Sequence, residues 1–162
     1  IYICSHDKDG AMGLIINKPI ADLKLKDEAD SILKETKLHQ MTPKPNVYFG
    51  GPVDLNMGII LHPLDYMSKK TIKISNQVGV TSDSKILKDI ITGKGPSMFR
   101  FSIGYAGWGN GQLEEEFENG DWLIAPSNSE IIFDMPDEQK WAYITNQLGI
   151  DINEISGHGG FA

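Results

Sequence analysis

Short runs of apolar residues, separated by turn-forming residues, recur along the chain and predict β-strands. Alternation with a period of two places one set of side chains on a single face of a sheet. Leu14, Ile15 and Ile16 are apolar in succession, which predicts a strand inside the sheet, and Asp9-Gly10 just before that run is a hairpin signal. The strand-like runs are residues 1–4, 11–17, 47–49, 57–61, 71–75, 78–80, 99–103 and 121–125.

Apolar residues at helical spacing predict amphipathic helices between these strands. Ser82 or Asp83 can cap the second helix, and Gly93 stands just beyond its end. Pro136 and Gly149 bracket the last helix in the same way. The predicted helices are residues 25–35, the segment between Asp83 and Gly93, residues 111–119 and residues 137–148, whereas residues 37–46 are predicted to form a loop.

Many short strands that mix irregularly with three or four helices are typical of an α+β fold rather than of alternating βαβ units. Glycines at strand ends allow the mixed sheet to bend into a partial barrel. The length of 162 residues fits one domain, since about 100–200 residues per domain is usual. Because the chain starts inside a strand-like run, we expect an upstream N-terminal strand to be missing from this sequence.

The net charge of −7 argues against direct binding of nucleic acid, which depends on Lys and Arg side chains that neutralise phosphates. The densest basic group, Lys69, Lys70 and Lys73, is expected to form a solvated surface.

No run of the sequence approaches the roughly 18 apolar residues of a membrane-spanning helix. Cys4 is the only cysteine, which fits a reducing compartment. We therefore expect a cytoplasmic protein that binds neither nucleic acid nor a membrane.

The most constrained part of the chain is the segment 99–117, which begins as an alternating strand and ends as an acidic helix. Four glycines stand within eight residues of this segment, together with Tyr105 and Trp108. Glycine is the usual residue where the backbone needs a positive φ or passes close to another group. We expect Gly107 to be such a position. Either ring taken alone is expected to pack in the core, because aromatic side chains bury large areas. Small residues beside an aromatic ring also leave a concavity, so the segment is in addition a candidate binding site.

The glycines do not match the two common nucleotide-binding patterns. A Walker loop needs G-x-x-x-x-G-K-[ST], and residues 93–96 lack both the spacing and the hydroxyl. A dinucleotide fingerprint needs G-x-G-x-x-G; Gly107 and Gly109 supply the first pair, but Gln112 stands at the third position. Glutamates at 114–116 would repel a phosphate from the start of the following helix. No nucleotide cofactor is therefore predicted.

The residues of common catalytic and metal-binding motifs are scattered. The four histidines have no HExxH or CxxC partner, and Cys4 with His6 on one strand face offers two ligands at most, so no metal site is predicted. A G-x-S-x-G nucleophile elbow is absent from the sequence. Asp134 with Asp137 or Glu138 forms a carboxylate pair that a hydrolase could use. Acidic residues at a helix start are, however, first of all partners of the helix dipole.

Four motifs resemble the signature of the bacterial YqgE/AlgH family, and the likeness runs from residue 1 to about residue 150. The motifs are GAMGLIINKP at 10–19, FGGPV at 49–53, GYAGWGxGQLExE at 104–116, where x is any residue, and FD at 133–134. The resemblance implies one α+β domain over residues 1–162, with a bent mixed sheet that forms a pseudo-barrel and flanking helices. It implies no catalytic residue, because the family is largely uncharacterised and some members are labelled transcriptional regulators. The glycine-rich tail around His158 departs from the family pattern, and no role is assigned to it.

The glycine turn at 50–51 and the segment 105–111 each follow an apolar strand of similar length and then lose side-chain bulk. We expect the two segments to lie side by side at the rim of one cleft, since ligand sites join a concave wall to a few polar groups. The predicted ligand-binding residues are Gly50, Gly51, Tyr105, Gly107, Trp108, Gln112 and Glu114.

The function predicted from these observations is that of a non-catalytic binding or regulatory module, which acts through a small ligand or a protein partner. One alternative is an enzyme of unknown reaction, such as a hydrolase that uses carboxylates near Asp134. The other alternative is a transcriptional regulator. Because the basic residues form no recognition helix, we expect regulation to run through a protein partner rather than through DNA.

Overall fold

The structure is a computed structural model, which describes residues 1–20 and 26–150. The strands within these residues are β1 Tyr2–Asp7, β2 Gly10–Leu14, β3 Val47–Phe49, β4 Val53–Pro63, β5 Ile72–Lys73, β6 Val78–Thr81 and β7 Arg100–Gly109. The α-helices are α1 Lys26–Glu35, α2 Ser84–Ile91, α3 Gln112–Glu118 and α4 Asp137–Gln147. A short 3-10 helix spans Leu38–Gln40, and one π-helical turn spans Glu130–Asp134.

The long strand β7 lies at the centre of a curled sheet with the order β1-β2-β7-β4-β6-β5. One edge of β7 pairs antiparallel with β4. The other edge pairs first in parallel with β3 and then antiparallel with β2. Strand twist accumulates across a sheet, and a strand that changes partner midway bends with it. The sheet therefore forms a half barrel with helices beside it, the α+β arrangement that the sequence predicts.

Alternation along β4 divides the apolar core into two clusters. Ile60 packs in a cluster with Ile86 and Ile90 of α2. Its neighbours Ile59 and Leu61 pack in a second cluster, which contains residues of β1, β2 and β6. Successive side chains of a strand point to opposite faces, so one strand supplies both clusters. α1 and α2 pack on the first cluster, whereas Ile132 of the π-helical turn packs in the second.

The local signals for α2 are confirmed. The Asp83 carboxylate accepts a hydrogen bond from the backbone N–H of Lys85 at 3.1 Å, which satisfies one of the unpaired donors at the helix start. Gly93 follows the helix with a φ of 70°. Ile86 and Ile90 are buried, as their predicted stripe requires.

A buried cluster of charges attaches α4 and the π-helical turn to the start of β7. The Arg100 guanidinium donates to the backbone carbonyls of Ile16 and Ile132 and pairs with the Asp137 carboxylate at 3.0 Å. Lys140 donates to the same Asp137 oxygen at 2.7 Å. Arg100 and Lys140 are both buried, and burial lowers the pKa of Lys140. Asp137 thus holds two buried cations together.

Several predicted boundaries differ from the structure. β2 ends at Leu14 instead of residue 17, β5 spans Ile72–Lys73 instead of 71–75, and β7 continues to Gly109. β1 extends through Asp7, because the Asp7–Gly10 pair closes the hairpin with β2 directly and shortens the predicted turn. β4 extends from Val53 to Pro63 and contains an irregularity between Val53 and Gly58, where Asp54 has a φ of 49°. The predicted loop 37–46 contains the 3-10 helix. The predicted helix start at Leu25 and the tail around His158 lie outside the described residues.

The predicted strand 121–125 is wrong. Residues 121–128 have no regular secondary structure, and Leu123 and Ile124 are 50% and 69% exposed. A strand needs a neighbour to pair with its backbone, and this segment does not belong to the sheet.

Within the described part of the chain, no helix combines the length and the apolar character that a membrane span requires.

Candidate functional site

The glycine turn at 50–51 lies directly against β7, as the sequence predicts. The Gly50 N–H donates to the carbonyl of Ile103 at 2.8 Å, and the Gly50 carbonyl accepts from Ile15 at 2.9 Å. A Cβ built on Gly51 would overlap with the backbone of Tyr105. Backbone atoms therefore fill the space between the two segments. Their proximity is confirmed, whereas their use by a ligand stays a prediction.

The prediction that Gly107 needs a positive φ is wrong. Among the glycines at 50–51 and 104–111, Gly51, Gly104 and Gly111 have a positive φ, at 152°, 67° and 71°. Gly104 stands where β7 leaves β3 and begins to pair with β2, so the bend of the strand requires its conformation. Gly107 lies in regular strand geometry opposite Met12. The backbone of Gly107 is exposed because glycine has no side chain to cover it. Its conformation is that of an ordinary strand residue.

One carboxylate, that of Glu116, organises the aromatic part of the site. Its Oε2 accepts hydrogen bonds from the indole N–H groups of Trp108 at 2.8 Å and Trp122 at 2.7 Å. Its Oε1 accepts from the Gln112 side chain at 2.8 Å. The two indole rings meet edge to face, with centroids 5.8 Å apart. Trp108 is buried, so this predicted ligand-binding ring packs inside the protein.

The remaining predicted polar groups also have partners within the protein. The Gln112 side-chain oxygen accepts from the backbone N–H of Gly109 at 3.0 Å. Glu114 pairs with His6 of β1 at 2.6 Å, which ties α3 to the first hairpin. A backbone hydrogen bond and the His6 contact lower the pKa of the Glu114 carboxyl. These side chains are exposed on one edge, but their first role is to hold α3 on the sheet.

An uncovered surface remains beside the predicted site, and we call it the Val53–Tyr105 surface. It consists of Val53 and Leu55 of β4 with Tyr105 and Gly107 of β7. Val53 pairs with Tyr105, and a Cβ on Gly107 would lie 3.3 Å from the Tyr105 ring and 3.9 Å from Val53. Val53 and Leu55 are 38% and 40% exposed. The irregularity of β4 thus presents two apolar side chains to solvent next to bare backbone.

Two grooves of the structure lie elsewhere. One has a volume of about 600 Å³ and lies between the end of α1 and the outer face of α2, where Thr36, Leu87 and Ile91 line it. The other has a volume of about 180 Å³ and adjoins the first at Leu87 and Thr36. None of the predicted ligand-binding residues lines either groove.

Two of the candidate catalytic groups, Asp137 and Cys4, have roles or surroundings that limit their reactivity. Asp137 is engaged by Arg100 and Lys140, so it does not pair with Asp134, which is exposed. Burial raises the pKa of the Cys4 thiol to about 12, which keeps it protonated and unreactive. Over residues 1–20 and 26–150, no three His, Cys, Asp or Glu side chains are grouped so that they could hold a metal ion.

The structure brings together four of the predicted residues, namely Gly50, Gly51, Tyr105 and Gly107, around one part of β7. Trp108 packs on the opposite face of β7 with Ala11 and Ala106, and Gln112 and Glu114 belong to α3. The structure also identifies two residues that sequence reasoning missed, Glu116 and Trp122. Glu116 follows Gln112 at a spacing of four, which places both on one helix face. That spacing is a sequence signal for the Gln112–Glu116 contact. The sequence has no comparable signal for Trp122, because it predicts a strand over 121–125.

Replacing Glu116 with glutamine should lower the melting temperature. A carboxylate accepts all three hydrogen bonds, whereas an amide turns an N–H₂ group toward either the indoles or Gln112 and leaves a donor unpaired. The pKa of Glu116 is held below its ordinary value of 4.5, first by Trp122 and then by Gln112 and Trp108. Its stabilisation is therefore complete above about pH 4.5 and is lost as the pH falls through the lowered pKa.

Thermal unfolding followed by circular dichroism between acidic and neutral pH checks this prediction. Wild-type protein should lose more stability on acidification than the Glu116→Gln variant. Glu118→Gln on the same helix is the matched control, because Glu118 is exposed and lies outside this network. Identical pH profiles for wild type and Glu116→Gln would contradict the role of Glu116.

Comparisons with known proteins identify the family. Residues 1–153 match the model of the family described as AlgH-like. The chain is 37% identical over 162 residues to the UPF0301 protein of Marinomonas sp. (strain MWYL1). The alignment covers 98% of this chain and 85% of that protein. It is 38% identical over 164 residues to the UPF0301 protein of Jannaschia sp. (strain CCS1), and this alignment covers 100% of this chain and 84% of that protein.

Two solved structures resemble the fold. The solution structure of the AlgH protein from Pseudomonas aeruginosa matches with a TM-score of 0.74 and 31% identity, over 99% of this chain and 84% of that one. The crystal structure of protein DIP2367 from Corynebacterium diphtheriae matches with a TM-score of 0.65 and 20% identity, over 90% of this chain and 74% of that one, and supports the fold alone. The motifs, the family match over residues 1–153 and the shared half-barrel agree, and the chain belongs to the AlgH-like family.

Proposed function

We propose that this protein is a binding module without a catalytic group of its own, which takes up a protein partner on the Val53–Tyr105 surface. The observation that carries the proposal is the pair of apolar side chains, Val53 and Leu55, held in solvent beside Tyr105 and the bare backbone of Gly107. Exposed apolar groups on a rigid sheet are typical of interaction sites.

A protein partner fits this surface better than a small ligand does. Small-molecule sites are concave and bury most of the ligand surface. Here the backbone contact between Gly51 and Tyr105 leaves no space between the two segments, and both grooves lie elsewhere. A protein partner needs no cavity, because it can cover a flat apolar surface.

Affinity capture from a bacterial extract, with quantitative mass spectrometry, tests the proposal. The test variant is Val53→Asp/Leu55→Asp, and the control is Leu123→Asp/Ile124→Asp, which adds the same charge at two other exposed apolar residues. We expect proteins captured by the wild type to be lost from the test variant and kept by the control. Equal retention by both variants would exclude this surface.

The two alternatives have separate tests. A screen of ester, phosphoester and peptide substrates should give no turnover, and turnover abolished by Asp134→Asn would favour a hydrolase. Direct transcriptional regulation predicts sequence-specific DNA binding, usually with a Kd of about 10⁻⁸–10⁻¹¹ M at physiological salt. A footprint of that affinity, weakened steeply by added salt, would overturn the proposed function in favour of a DNA-binding regulator.

A further inference from the structure

A second surface, which we call the Met67–Lys73 patch, is positively charged in a chain with a net charge of −7. It contains Lys69, Lys70 and Lys73, all exposed, and no acidic residue. None of the ion pairs among the described residues includes these lysines. Met67 and Ile72 are 47% and 64% exposed. Cationic and apolar groups therefore face solvent together on one short segment.

Hydrogen bonds hold this patch in a defined shape. The Thr71 N–H donates to the Ser68 carbonyl at 3.2 Å, which closes a turn with Lys69 and Lys70 at its tip. The Ser68 N–H donates to the Thr71 hydroxyl oxygen at 3.1 Å. The Thr81 hydroxyl of β6 donates to the Lys70 carbonyl at 3.4 Å. The lysines are thus positioned by the backbone, while their ammonium groups stay available to a partner.

The patch also contains a sheet edge. Among residues 1–20 and 26–150, β5 is the last strand in the sheet order, and β6 is its one paired neighbour. The Ile74 N–H donates to Val78 across the hairpin at 2.9 Å. Because bonding directions alternate along an antiparallel strand, the N–H and C=O of Lys73 point away from β6. An unpaired edge of this kind can accept a further extended chain.

We propose that the Met67–Lys73 patch binds an acidic, extended segment of a protein partner. The backbone of that segment pairs with Lys73 at the edge of β5, its carboxylates face the three lysines, and its apolar side chains cover Ile72. Strand addition of this kind takes its affinity from main-chain hydrogen bonds and its specificity from alternate side chains. Phosphate-rich partners satisfy the lysines but supply neither the strand pairing nor the apolar contact. This surface is separate from the Val53–Tyr105 surface, and its test is independent.

The probe is a short fluorescein-labelled peptide of alternating Glu and Val, and its affinity is measured by fluorescence anisotropy at low salt. We expect Lys69→Gln/Lys70→Gln/Lys73→Gln to weaken binding by about tenfold or more, since close opposite charges steer and hold a partner. The control Lys85→Gln/Lys88→Gln/Lys94→Gln removes the same charge from the region of α2 and should change the affinity by less than about twofold. Equal weakening by both triple variants would overturn the proposal, because it would indicate non-specific attraction.

Two further measurements separate strand pairing from simple charge attraction. Ile72→Asn leaves the lysines in place and should still weaken peptide binding several-fold, with amide chemical-shift changes centred on Ile72 and Lys73. Binding that is unaffected by Ile72→Asn would overturn the strand-pairing model. Anionic phospholipid vesicles and a single-stranded RNA oligonucleotide serve as competing probes. If either binds through the three lysines while the peptide does not bind, the partner is not an acidic protein segment.

Discussion

Replacing Asp137 with alanine is expected to lower the free energy of unfolding by about 3–5 kcal/mol, because the change leaves two buried cations without their carboxylate. Arg100 and Lys140 are 5% and 3% exposed, and both contact the same oxygen of Asp137. Part of the lost stability should return when Lys140→Met removes one of the two cations in the Asp137→Ala background. Chemical denaturation of the single and double variants measures both effects.

Asp134→Ala is the matched control for this prediction. Asp134 is exposed and three residues away, so its removal should change the free energy of unfolding by no more than about 0.5 kcal/mol. A comparable loss of stability in the two variants would show that the buried cluster does not hold α4 and the π-helical turn on β7.

Replacing Gly51 with alanine is expected to lower the free energy of unfolding by about 3–5 kcal/mol, which combines backbone strain with overpacking. The φ of Gly51 is 152°, and an added Cβ would overlap with the backbone of Tyr105 and Ala106. Backbone atoms in the middle of a sheet cannot move aside as a flexible side chain does. The expected result is a protein that unfolds at much lower denaturant concentration, or one that does not fold.

Two other glycines separate the causes of that effect. Gly93→Ala adds a Cβ at a φ of 70° with no atom within 4 Å, so it should show the strain alone, about 1–2 kcal/mol. Gly107→Ala has ordinary strand geometry and a Tyr105 ring carbon at 3.3 Å, so its effect should be the smallest of the three. An equal loss for Gly51→Ala and Gly93→Ala would remove the overpacking argument.

Local signals predicted much of the secondary structure. The Asp83 cap, the helix end before Gly93 and the Asp9-Gly10 hairpin depend on residues within a few positions of one another, and all three are present. Apolar periodicity likewise assigned Ile86 and Ile90 to the core. These features depend on backbone geometry and side-chain spacing along one element, which a single sequence displays directly.

The site was predicted less completely, because its contacts join distant parts of the chain. The glycine neighbours of Trp108 predict a ligand-binding ring. In the structure the Trp108 indole N–H and that of Trp122 both donate hydrogen bonds to the Glu116 carboxylate. No local pattern distinguishes a tryptophan that meets a ligand from one that meets a carboxylate of the same protein, since both need a polar partner for the N–H.

The sequence by itself determined the fold class, the family and the region of β7 around which the chain is organised. Tertiary structure decided which glycines the backbone requires. Gly104 has a positive φ because β7 changes partner there, whereas Gly107 has no positive φ. Tertiary structure also decided the role of the charged groups: His6 meets Glu114 across 108 residues, and Arg100 reaches Ile16 across 84. The physical reason is that periodicity and capping act within one element, whereas strand partners and buried ion pairs depend on how separate elements pack.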